Sequence, residues 1–363
     1  MKLRTIYTYL LACRRSWIIR HNYEKLYKKI GNRNPELLKK ASGEDLWMHK
    51  WGKVNKHVSP CSYRIFSRFI GKNQNIVPLE VFADVIEPIL CPPNQYAYYN
   101  DKNVFDKLFP AGVLPKTLLR NIRGNFYDIN YQLVNNPILS DFLSEKIILK
   151  PAVGGESGIG VQIFTKSGNQ WENRNGEKLT VDYLISNYGS DYIIQEYLQQ
   201  DDAMSRFNSS SVNTIRVMTY RSVTTGEISV PNAILRIGAS GAEVDNAHQG
   251  GMFCGISENG ELGKYVCNFL GEKNTLFNGI DFANSCNVIP NYGEVIDFAK
   301  KIARQVIHHH LLALDIMLDK RGNPRLIEIN VGGFGAWVFQ FTTGPVFSDY
   351  TNEVITYCMK NKR

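Results

Sequence analysis

One stretch near the end of the chain constrains the fold more than any other. Residues 311–330 contain two apolar segments separated by a cluster of turn-forming residues, which predicts an antiparallel hairpin. If the turn centres on residues 321–322, Asp315 lies directly opposite Glu328. Asn330 then points to the same side as Glu328, because side chains alternate between the two faces of a strand. The sequence therefore predicts three oxygen-bearing side chains on one face of an otherwise apolar hairpin.

These three side chains indicate a metal site. Two carboxylates that face each other across a strand pair repel and resist burial, and a divalent cation would remove that cost. Two carboxylates and an amide offer hard oxygen ligands that suit Mg²⁺ or Mn²⁺. We therefore predict that Asp315, Glu328 and Asn330 are metal ligands. The alternative is an exposed hairpin face, but it does not explain why both acids interrupt apolar runs.

A glycine-rich loop, 154–160, lies between two short strand-like segments. It lacks the Gly-Lys-Ser/Thr of a P-loop, and it does not open a helix as a dinucleotide-binding fingerprint would. A loop between two strands is instead a flap whose backbone N–H groups can fold over phosphates. Lys150 ends the preceding strand and can pair with phosphate charge. A flexible surface hairpin is the alternative, but beside a metal site the loop favours phosphoryl chemistry.

Charge is unevenly distributed along the chain. Residues 1–72 contain 17 Lys and Arg but only 4 Asp and Glu, a local net charge of +13 within a total of +8. Such a segment can contact an anionic membrane surface, a nucleic acid or an acidic polymer, and a solvated helical face is the plain alternative. It contains no zinc-finger spacing and no aromatic RNA-binding motif, so we expect no nucleic acid as a partner.

Cysteines and hydropathy predict the compartment. The seven cysteines are scattered and form no close Cys or His cluster, which is typical of reduced thiols. No run approaches the roughly 20 apolar residues that a membrane span needs. We expect a cytoplasmic protein. For residues 1–72, peripheral contact with the inner face of the membrane stays open beside the solvated helical face.

Taken in order, these features resemble the ATP-grasp superfamily over about residues 95–345. Asn100–Phe109 followed by Ala111–Pro115 is similar to the helix and strand that open such domains, and Gln195–Leu198 is similar to the hinge strand whose backbone reads the adenine edge. The resemblance implies ATP and Mg²⁺ as cofactors, with the metal ligands named above. It implies these nucleotide-binding residues: Lys102, Lys150, Gly154, Gly155, Ser157, Gly158, Gly160, Gln195, Glu196, Tyr197 and Leu198.

Three further segments, 208–219, 244–251 and 328–335, are similar to the branch called sugar-transfer-associated ATP-grasp proteins. That branch is expected to act near polysaccharide synthesis, which implies a setting rather than a substrate.

Further roles follow from the chemistry expected at such a site. Arg216 and Arg236 lie in strand-like segments and can neutralise γ-phosphate or acyl-phosphate charge, so with Lys150 they are the predicted catalytic residues. Surface salt bridges are the alternative for both arginines. The polar segment 246–251 suits substrate contact, although a plain β-turn would have the same composition. The predicted substrate-binding residues are Asn246, His248, Gln249, Gly250 and Gly251.

The resemblance implies an α+β chain with the ATP-grasp fold, in which two α+β subdomains clamp ATP between antiparallel sheets. The expected units are a basic, mainly helical N-terminal region (1–94), an ATP-grasp domain (95–345) with subdomains 95–145, 146–200 and 201–345, and a C-terminal helix (346–363).

The function expected from this combination is that of a carboxylate–amine ligase. The substrate carboxylate attacks the γ-phosphorus of ATP, and an amine then displaces phosphate from the acyl phosphate to form an amide. The two small-molecule substrates would be an amino acid and a sugar acid or similar compound, in polysaccharide or glycan-precursor biosynthesis. A small-molecule or sugar kinase on the same fold and a non-catalytic scaffold in polysaccharide assembly are the alternatives.

Overall fold

The computed structural model describes residues 2–154, 158–242 and 250–362. Within these ranges the chain combines helices with two large antiparallel sheets and one small ribbon, which confirms the predicted α+β class. The predicted helical N-terminal region is also present. In the part of the chain that the structure describes, every helix is too short or too polar to pass through a bilayer.

The first sheet carries the glycine-rich hairpin. Its strands in the described ranges are β1 (Thr117–Ile122), β2 (Asn125–Tyr127), β3 (Lys146–Pro151), β4 (Gln162–Ser167), β5 (Gln170–Asn173) and β6 (Tyr192–Glu196). They lie in the order β2-β1-β6-β3-β4-β5, and neighbouring strands are antiparallel. The glycine-rich loop joins β3 to β4, so it connects two paired strands as predicted.

The second sheet carries the acidic hairpin. Its strands are β7 (Thr214–Arg221), β8 (Ile228–Ile237), β9 (Met252–Ile256), β10 (Leu262–Cys267), β11 (Lys273–Asn274), β14 (Leu311–Leu318) and β15 (Pro324–Asn330), in the order β11-β10-β9-β8-β7-β14-β15. A two-stranded ribbon pairs β12 (Leu276–Phe277) with β13 (Ile280–Asp281). The acidic hairpin, β14–β15, therefore forms one edge of this sheet.

Helices dominate the first hundred residues and cover the second sheet. The α-helices are α1 (Lys2–Arg33), α2 (Glu44–Gly52), α3 (Cys61–Ile70), α4 (Leu79–Val81), α5 (Glu87–Leu90), α6 (Ala97–Asn100), α7 (Phe105–Leu108), α8 (Val181–Tyr188), α9 (Asp202–Ser205), α10 (Tyr292–Gln305), α11 (Trp337–Gln340) and α12 (Thr351–Asn361). A π-helical turn, Phe82–Ile86, joins α4 to α5. Single 3₁₀ turns lie at Pro35–Leu38, Pro93–Gln95, Lys102–Val104, Leu139–Asp141 and Ser348–Tyr350.

The two faces of the second sheet have different roles because side chains alternate along each strand. One face carries Ile215, Val217 and Leu314, and these pack in one core with the amphipathic helix α10. The other face carries Arg216 and Asp315, which lie directly opposite each other on β7 and β14. The predicted catalytic arginines and metal-binding side chains of this sheet thus lie on the face that α10 does not cover.

The N-terminal helices pack against that same second face. Trp47 is fully buried, and its ring N–H donates to the carbonyl of Ile76 at 2.7 Å. Phe66 meets Phe341 with a ring-centroid distance of 4.9 Å, and both share a core with Ile234 of β8. The N-terminal region and residues 334–358 therefore share one core beside the candidate site. The predicted domain boundaries stay a prediction.

The segment 100–109 differs locally from its predicted form. The structure has a 3₁₀ turn at Lys102–Val104, followed by a single helical turn, α7, instead of one continuous helix. Asp101 caps the 3₁₀ turn, because its side chain accepts a hydrogen bond from the N–H of Asn103 at 2.9 Å. A short Asp side chain competes in this way with regular helix formation.

Candidate active site

A cavity of about 520 Å³ is lined by residues of both sheets. This volume falls in the range of roughly 300–1,000 Å³ that is typical of small-molecule sites. Thirteen residues that the sequence analysis assigns to nucleotide, metal or catalytic roles line it. They are Lys102, Lys150, Gly154, Gly158, Gln195, Glu196, Tyr197, Leu198, Arg216, Arg236, Asp315, Glu328 and Asn330.

The acidic hairpin has the predicted opposition of Asp315 and Glu328, but the predicted turn centre is wrong. The turn spans residues 319–323 and is closed by a backbone hydrogen bond between its ends, so it centres on residue 321. One additional residue in β15, Ile327, then shifts the register as a β-bulge. The bulge compensates for the displaced turn and returns Glu328 to its place opposite Asp315.

Asp315 is buried and already neutralised by two arginines. Its carboxylate accepts hydrogen bonds from Nε and Nη2 of Arg216, at 2.8 and 2.7 Å, and from Nη1 of Arg236 at 2.9 Å. Burial alone would raise the pKa of Asp315, but the charges of Arg216 and Arg236 outweigh it and hold that pKa below its usual range. Asp315 is therefore an anion clamped by two cations.

Glu328 has a cationic partner as well. Nζ of Lys102 lies 3.0 Å from its carboxylate, and about a third of the Glu328 side chain is exposed. Three cations therefore balance the two opposed acids, so the need for a bound metal to relieve their repulsion does not hold. The metal assignment now rests on ligand chemistry and position, and it stays a prediction. The described ranges hold no cluster of three or more His, Cys, Asp or Glu suited to a metal.

Arg216 and Arg236 fit neither of the two predicted alternatives in full. Their side chains are only 15% and 17% exposed, so they are cavity-wall residues and not surface salt-bridge partners. Both nevertheless form ion pairs with Asp315 at the place where they were expected to meet phosphate. They therefore set the position of the Asp315 carboxylate as well as contributing positive charge to the cavity.

Lys150 is buried at the end of β3 and faces the cavity. Burial, assisted by the nearby charge of Lys102 and opposed by that of Glu328, lowers the pKa of Lys150 to about 8. The backbone N–H of Lys102 donates to the carbonyl of Ala152 at 2.9 Å, which ties the Lys102 turn to the chain just beyond β3. The two lysines that the resemblance assigns to the nucleotide are thus held beside each other.

The predicted hinge lies at the end of β6, between β1 and β3. The N–H of Glu196 donates to the carbonyl of Lys116 at 2.9 Å, and the N–H of Tyr197 donates to that of Lys146 at 3.2 Å. Both donors are thus used within the sheet. Backbone recognition of an adenine edge would therefore fall to Leu198, which follows them, or to the carbonyl groups of this segment.

The glycine-rich loop is described only in part. Gly155 and Ser157 lie outside the described residues, whereas Gly154 and Gly158 line the cavity with φ angles of 73° and 74°. Gly160 is not among the described cavity-lining residues and packs behind the loop instead. A Cβ at Gly160 would lie 2.9 Å from Cγ of Pro151. The carbonyl of Gly160 accepts a 2.7 Å hydrogen bond from the Tyr188 hydroxyl.

The predicted substrate segment is mostly outside the described residues, since these omit Asn246, His248 and Gln249. Gly250 and Gly251 lead directly into β9, and neither of them lines the cavity. The next two residues, Met252 and Phe253, do line the cavity.

A glycine-containing loop, 332–335, is a part of the site that the sequence analysis did not assign. The carboxylate of Glu87 accepts hydrogen bonds from the N–H groups of Gly333 and Phe334, at 2.7 and 3.3 Å. The Tyr96 ring lies against Gly332, where a Cβ would come within 2.7 Å of it. Glu87 and Tyr96 thus fix a loop that lines the cavity.

Apolar side chains supply much of the remaining cavity wall. The first sheet and the acidic hairpin contribute Ile148, Ile163 and Met317, while Phe253 and Trp337 meet edge to face with a centroid distance of 5.5 Å. The other unassigned lining residues are Tyr99, Asn100, Phe105, Pro115, Pro151, Val161, Val212, Thr214, Ile234, Met252, Ile327, Ile329, Val331 and Val338. Apolar strand residues of this kind look like any core residue in a sequence, so no local signal distinguishes them.

Two antiparallel sheets that enclose a cavity, one bearing a glycine-rich hairpin and the other an acidic hairpin, define the ATP-grasp class. The chain belongs to the sugar-transfer associated ATP-grasp family, whose model matches residues 83–355, three quarters of the chain. The match confirms the predicted resemblance and begins within the helical N-terminal region.

Several solved structures are distantly similar to this chain. Similar solved structures include the ATP-grasp ligase PsnB complexed with its minimal precursor (14% identity over 74% of this chain and 64% of that one, TM-score 0.39). The chain is also similar to N5-carboxyaminoimidazole ribonucleotide synthetase from Thermotoga maritima, with 11% identity over 73% of this chain and 51% of that one and a TM-score of 0.39. A third similar structure is D-alanine–D-alanine ligase from Bacillus anthracis, with 13% identity over 77% of this chain and 71% of that one and a TM-score of 0.37. The chain spans about half to two thirds of the length of the first two. A search of curated proteins finds no match.

Proposed function

We propose that this protein is an ATP- and Mg²⁺-dependent carboxylate–amine ligase. The observation that carries the proposal is the convergence, in one cavity, of four basic side chains with the predicted metal-ligand set. Those four are Lys102, Lys150, Arg216 and Arg236. Membership of an ATP-grasp family supports the use of ATP.

The charge of the cavity suits a polyanionic nucleotide. Among the described residues that line it, four basic side chains stand against the three acidic ones of Glu196, Asp315 and Glu328, which gives these residues a net charge of +1. The apolar strand residues beside this charged zone suit a flat base and leave the phosphates near the lysines.

The donor set fits Mg²⁺. Asn330 uses its amide N–H within the hairpin, donating to the carbonyl of Ala313 at 3.2 Å, so its oxygen is the atom that can act as a ligand. Glu328 is partly exposed and Asp315 is ionised, so both can offer carboxylate oxygens. When bound there, Mg²⁺ would neutralise phosphate charge and polarise the γ-phosphoryl group.

The proposed reaction has two steps. A substrate carboxylate oxygen attacks the γ-phosphorus while the bond to the β-phosphate oxygen breaks, so ADP leaves with the electron pair. An amine then attacks the acyl carbon of the acyl phosphate, phosphate departs, and the amine loses a proton to give the amide. Lys102 and Lys150 would hold the phosphates, and the Arg216 and Arg236 guanidinium groups would stabilise the charge that develops on the transferred group.

The arginine–aspartate pairs give this proposal a physical advantage. A guanidinium group held by Asp315 is oriented before substrate arrives, so little conformational entropy is lost when it meets the phosphoryl oxygens. The same pairs fix the Asp315 carboxylate. The chain thus supplies preorganised charge and positioning, and it needs no covalent enzyme intermediate.

An ADP-release screen of amino acids against uronic acids tests the proposal, with Asp315→Asn as the blank. We expect one pair of substrates to give ADP and an amide in equal amounts, identified by mass spectrometry. A stable phosphorylated product that forms without an amine would instead make the protein a kinase. If Glu328→Ala left cellular function intact while deletion of residues 1–72 abolished it, a scaffold role would replace catalysis. A cytoplasmic setting in polysaccharide or glycan-precursor synthesis remains part of the proposal.

A further inference from the structure

The N-terminal half of α1 exposes a stripe of large apolar side chains. Tyr7, Leu10, Leu11, Trp17 and Ile18 are 64%, 59%, 46%, 58% and 40% exposed. Their separations of three, four and seven residues place them on one face of the helix. We call these five residues the apolar stripe. So many exposed large apolar groups on one face indicate a surface that a partner covers.

The rest of the chain is attached to the opposite face of α1. Ser16 donates to the Asp84 carboxylate at 2.7 Å, and about three and four turns further along the helix Tyr27 and Ile30 are buried in the N-terminal core. The apolar stripe therefore points away from the body of the protein. Its exposure is not needed for the fold of the described residues.

Basic residues extend the same face of α1. Arg14 lies within the apolar stripe, and Lys25 and Lys28 continue it at helical spacing; all three are exposed. Within Lys2–Arg33 there are nine Lys and Arg but a single acidic residue, Glu24. An apolar N-terminal half of the helix, followed by basic side chains, complements a surface that has an apolar interior and an anionic outer layer.

We propose that α1 docks the protein on an anionic lipid bilayer, with the apolar stripe in the interfacial layer and the basic residues against lipid phosphates. Trp and Tyr favour the headgroup level of a bilayer, and an exposed apolar stripe flanked by basic side chains can bind in the interfacial layer without spanning the membrane. Each basic residue near such a surface adds attraction that salt screens. The docking is independent of the proposed catalytic function.

A second copy of the chain fits this face less well. Arg14 lies within the stripe, so it opposes Arg14 of the other copy in a parallel in-register pair. In an antiparallel pair centred on the stripe it lies opposite Leu11, which places its guanidinium among apolar side chains. Like charges at the centre of such an interface are destabilising. The lipid surface removes this conflict because its charge is opposite.

Flotation of the full-length protein with phosphatidylcholine vesicles, with and without phosphatidylglycerol, tests the proposal. We expect binding only to the anionic vesicles, with weakening as salt rises. Leu10→Glu together with Leu11→Glu should abolish it. The matched control, Leu46→Glu together with Ile185→Glu, changes two equally exposed apolar residues elsewhere and should bind normally. Neutralising Arg14, Lys25 and Lys28 with Gln should weaken partitioning roughly a hundredfold.

Three results would overturn the lipid assignment. The first is wild-type protein that does not bind anionic vesicles, and the second is a control variant that loses binding as fully as the stripe variant. The third is a wild-type protein that does not bind vesicles but forms a concentration-dependent dimer, which the Leu10→Glu, Leu11→Glu variant disrupts; this would assign the stripe to a second copy. The melting temperature serves as the folding check for every variant, because it does not depend on the proposed ATP site.

Discussion

The pH dependence of nucleotide affinity provides a detailed test of the role of Lys150. Burial and the charge of Lys102 bring the pKa of Lys150 down to about 8, so at pH 8 only half of the molecules carry its ammonium group. Phosphate attracts the charged form alone. The apparent Kd for ATP should therefore rise about fivefold between pH 8 and pH 9, and about tenfold for each further unit.

Isothermal titration calorimetry between pH 7 and pH 9.5 measures this effect directly. In buffers of different ionisation enthalpy, roughly half a proton should be taken up per ATP bound at pH 8. Lys150→Arg should flatten the curve, because guanidinium stays charged throughout. Lys102→Arg is the matched control and should keep the wild-type pH profile. A wild-type Kd that does not change over this range, without proton uptake, would refute the reasoning.

The same pKa shift has a stability consequence of defined sign. The pKa of Lys150 lies below its ordinary value of 10.5 in the folded chain, so the buried ammonium destabilises the fold fully below pH 8. This penalty, as much as about 3 kcal/mol, fades as the pH approaches 10.5. Lys150→Met should therefore raise the melting temperature at pH 7 and leave it nearly unchanged at pH 10.5. An equal effect at both pH values would contradict the assignment.

Two further predictions concern the loop at 332–335. Glu87→Ala removes the acceptor for two backbone N–H groups, so we expect a loss of about 1–3 kcal/mol in stability and a raised KM. Glu87→Gln keeps an acceptor and should have a smaller effect. An Ala variant with unchanged melting temperature and kinetics would contradict this prediction. Gly332→Ala forces a methyl group against Tyr96 and should lower the free energy of unfolding by about 1–3 kcal/mol. In a double-mutant cycle, the second change Tyr96→Ala should restore part of that loss. Strictly additive losses would show that the contact does not matter.

The parts of the site that the sequence predicted are those with a local signal. Alternation along a strand fixes which side chains share a face, so the opposition of Asp315 and Glu328 follows from the pattern once a turn is chosen. The bulge at Ile327 had no such signal. It compensated for a turn centre that was misplaced by half a residue, so the correct pair came from two features that offset each other.

The parts that the sequence missed depend on contacts between distant segments. Glu87 reaches Gly333 across 246 positions, and Arg216 and Arg236 reach Asp315 across 99 and 79. Each of these side chains has an ordinary sequence context, so only the folded chain reveals its partner. The argument that two opposed acids require a metal failed for the same reason, because it assumed that no protein cation was close to them.

The central claim is that Asp315, Glu328 and Asn330 hold a Mg²⁺–nucleotide in this cavity. Calorimetric titration of ATP, with and without Mg²⁺, into wild-type protein and Glu328→Ala tests it most directly. We expect Mg²⁺ to strengthen binding to the wild type. Glu328→Ala should lose that gain yet bind metal-free ATP at least as well, because Lys102 is released from its carboxylate partner. Absence of ATP binding by the wild type, or an equal Mg²⁺ effect in both proteins, would contradict the claim.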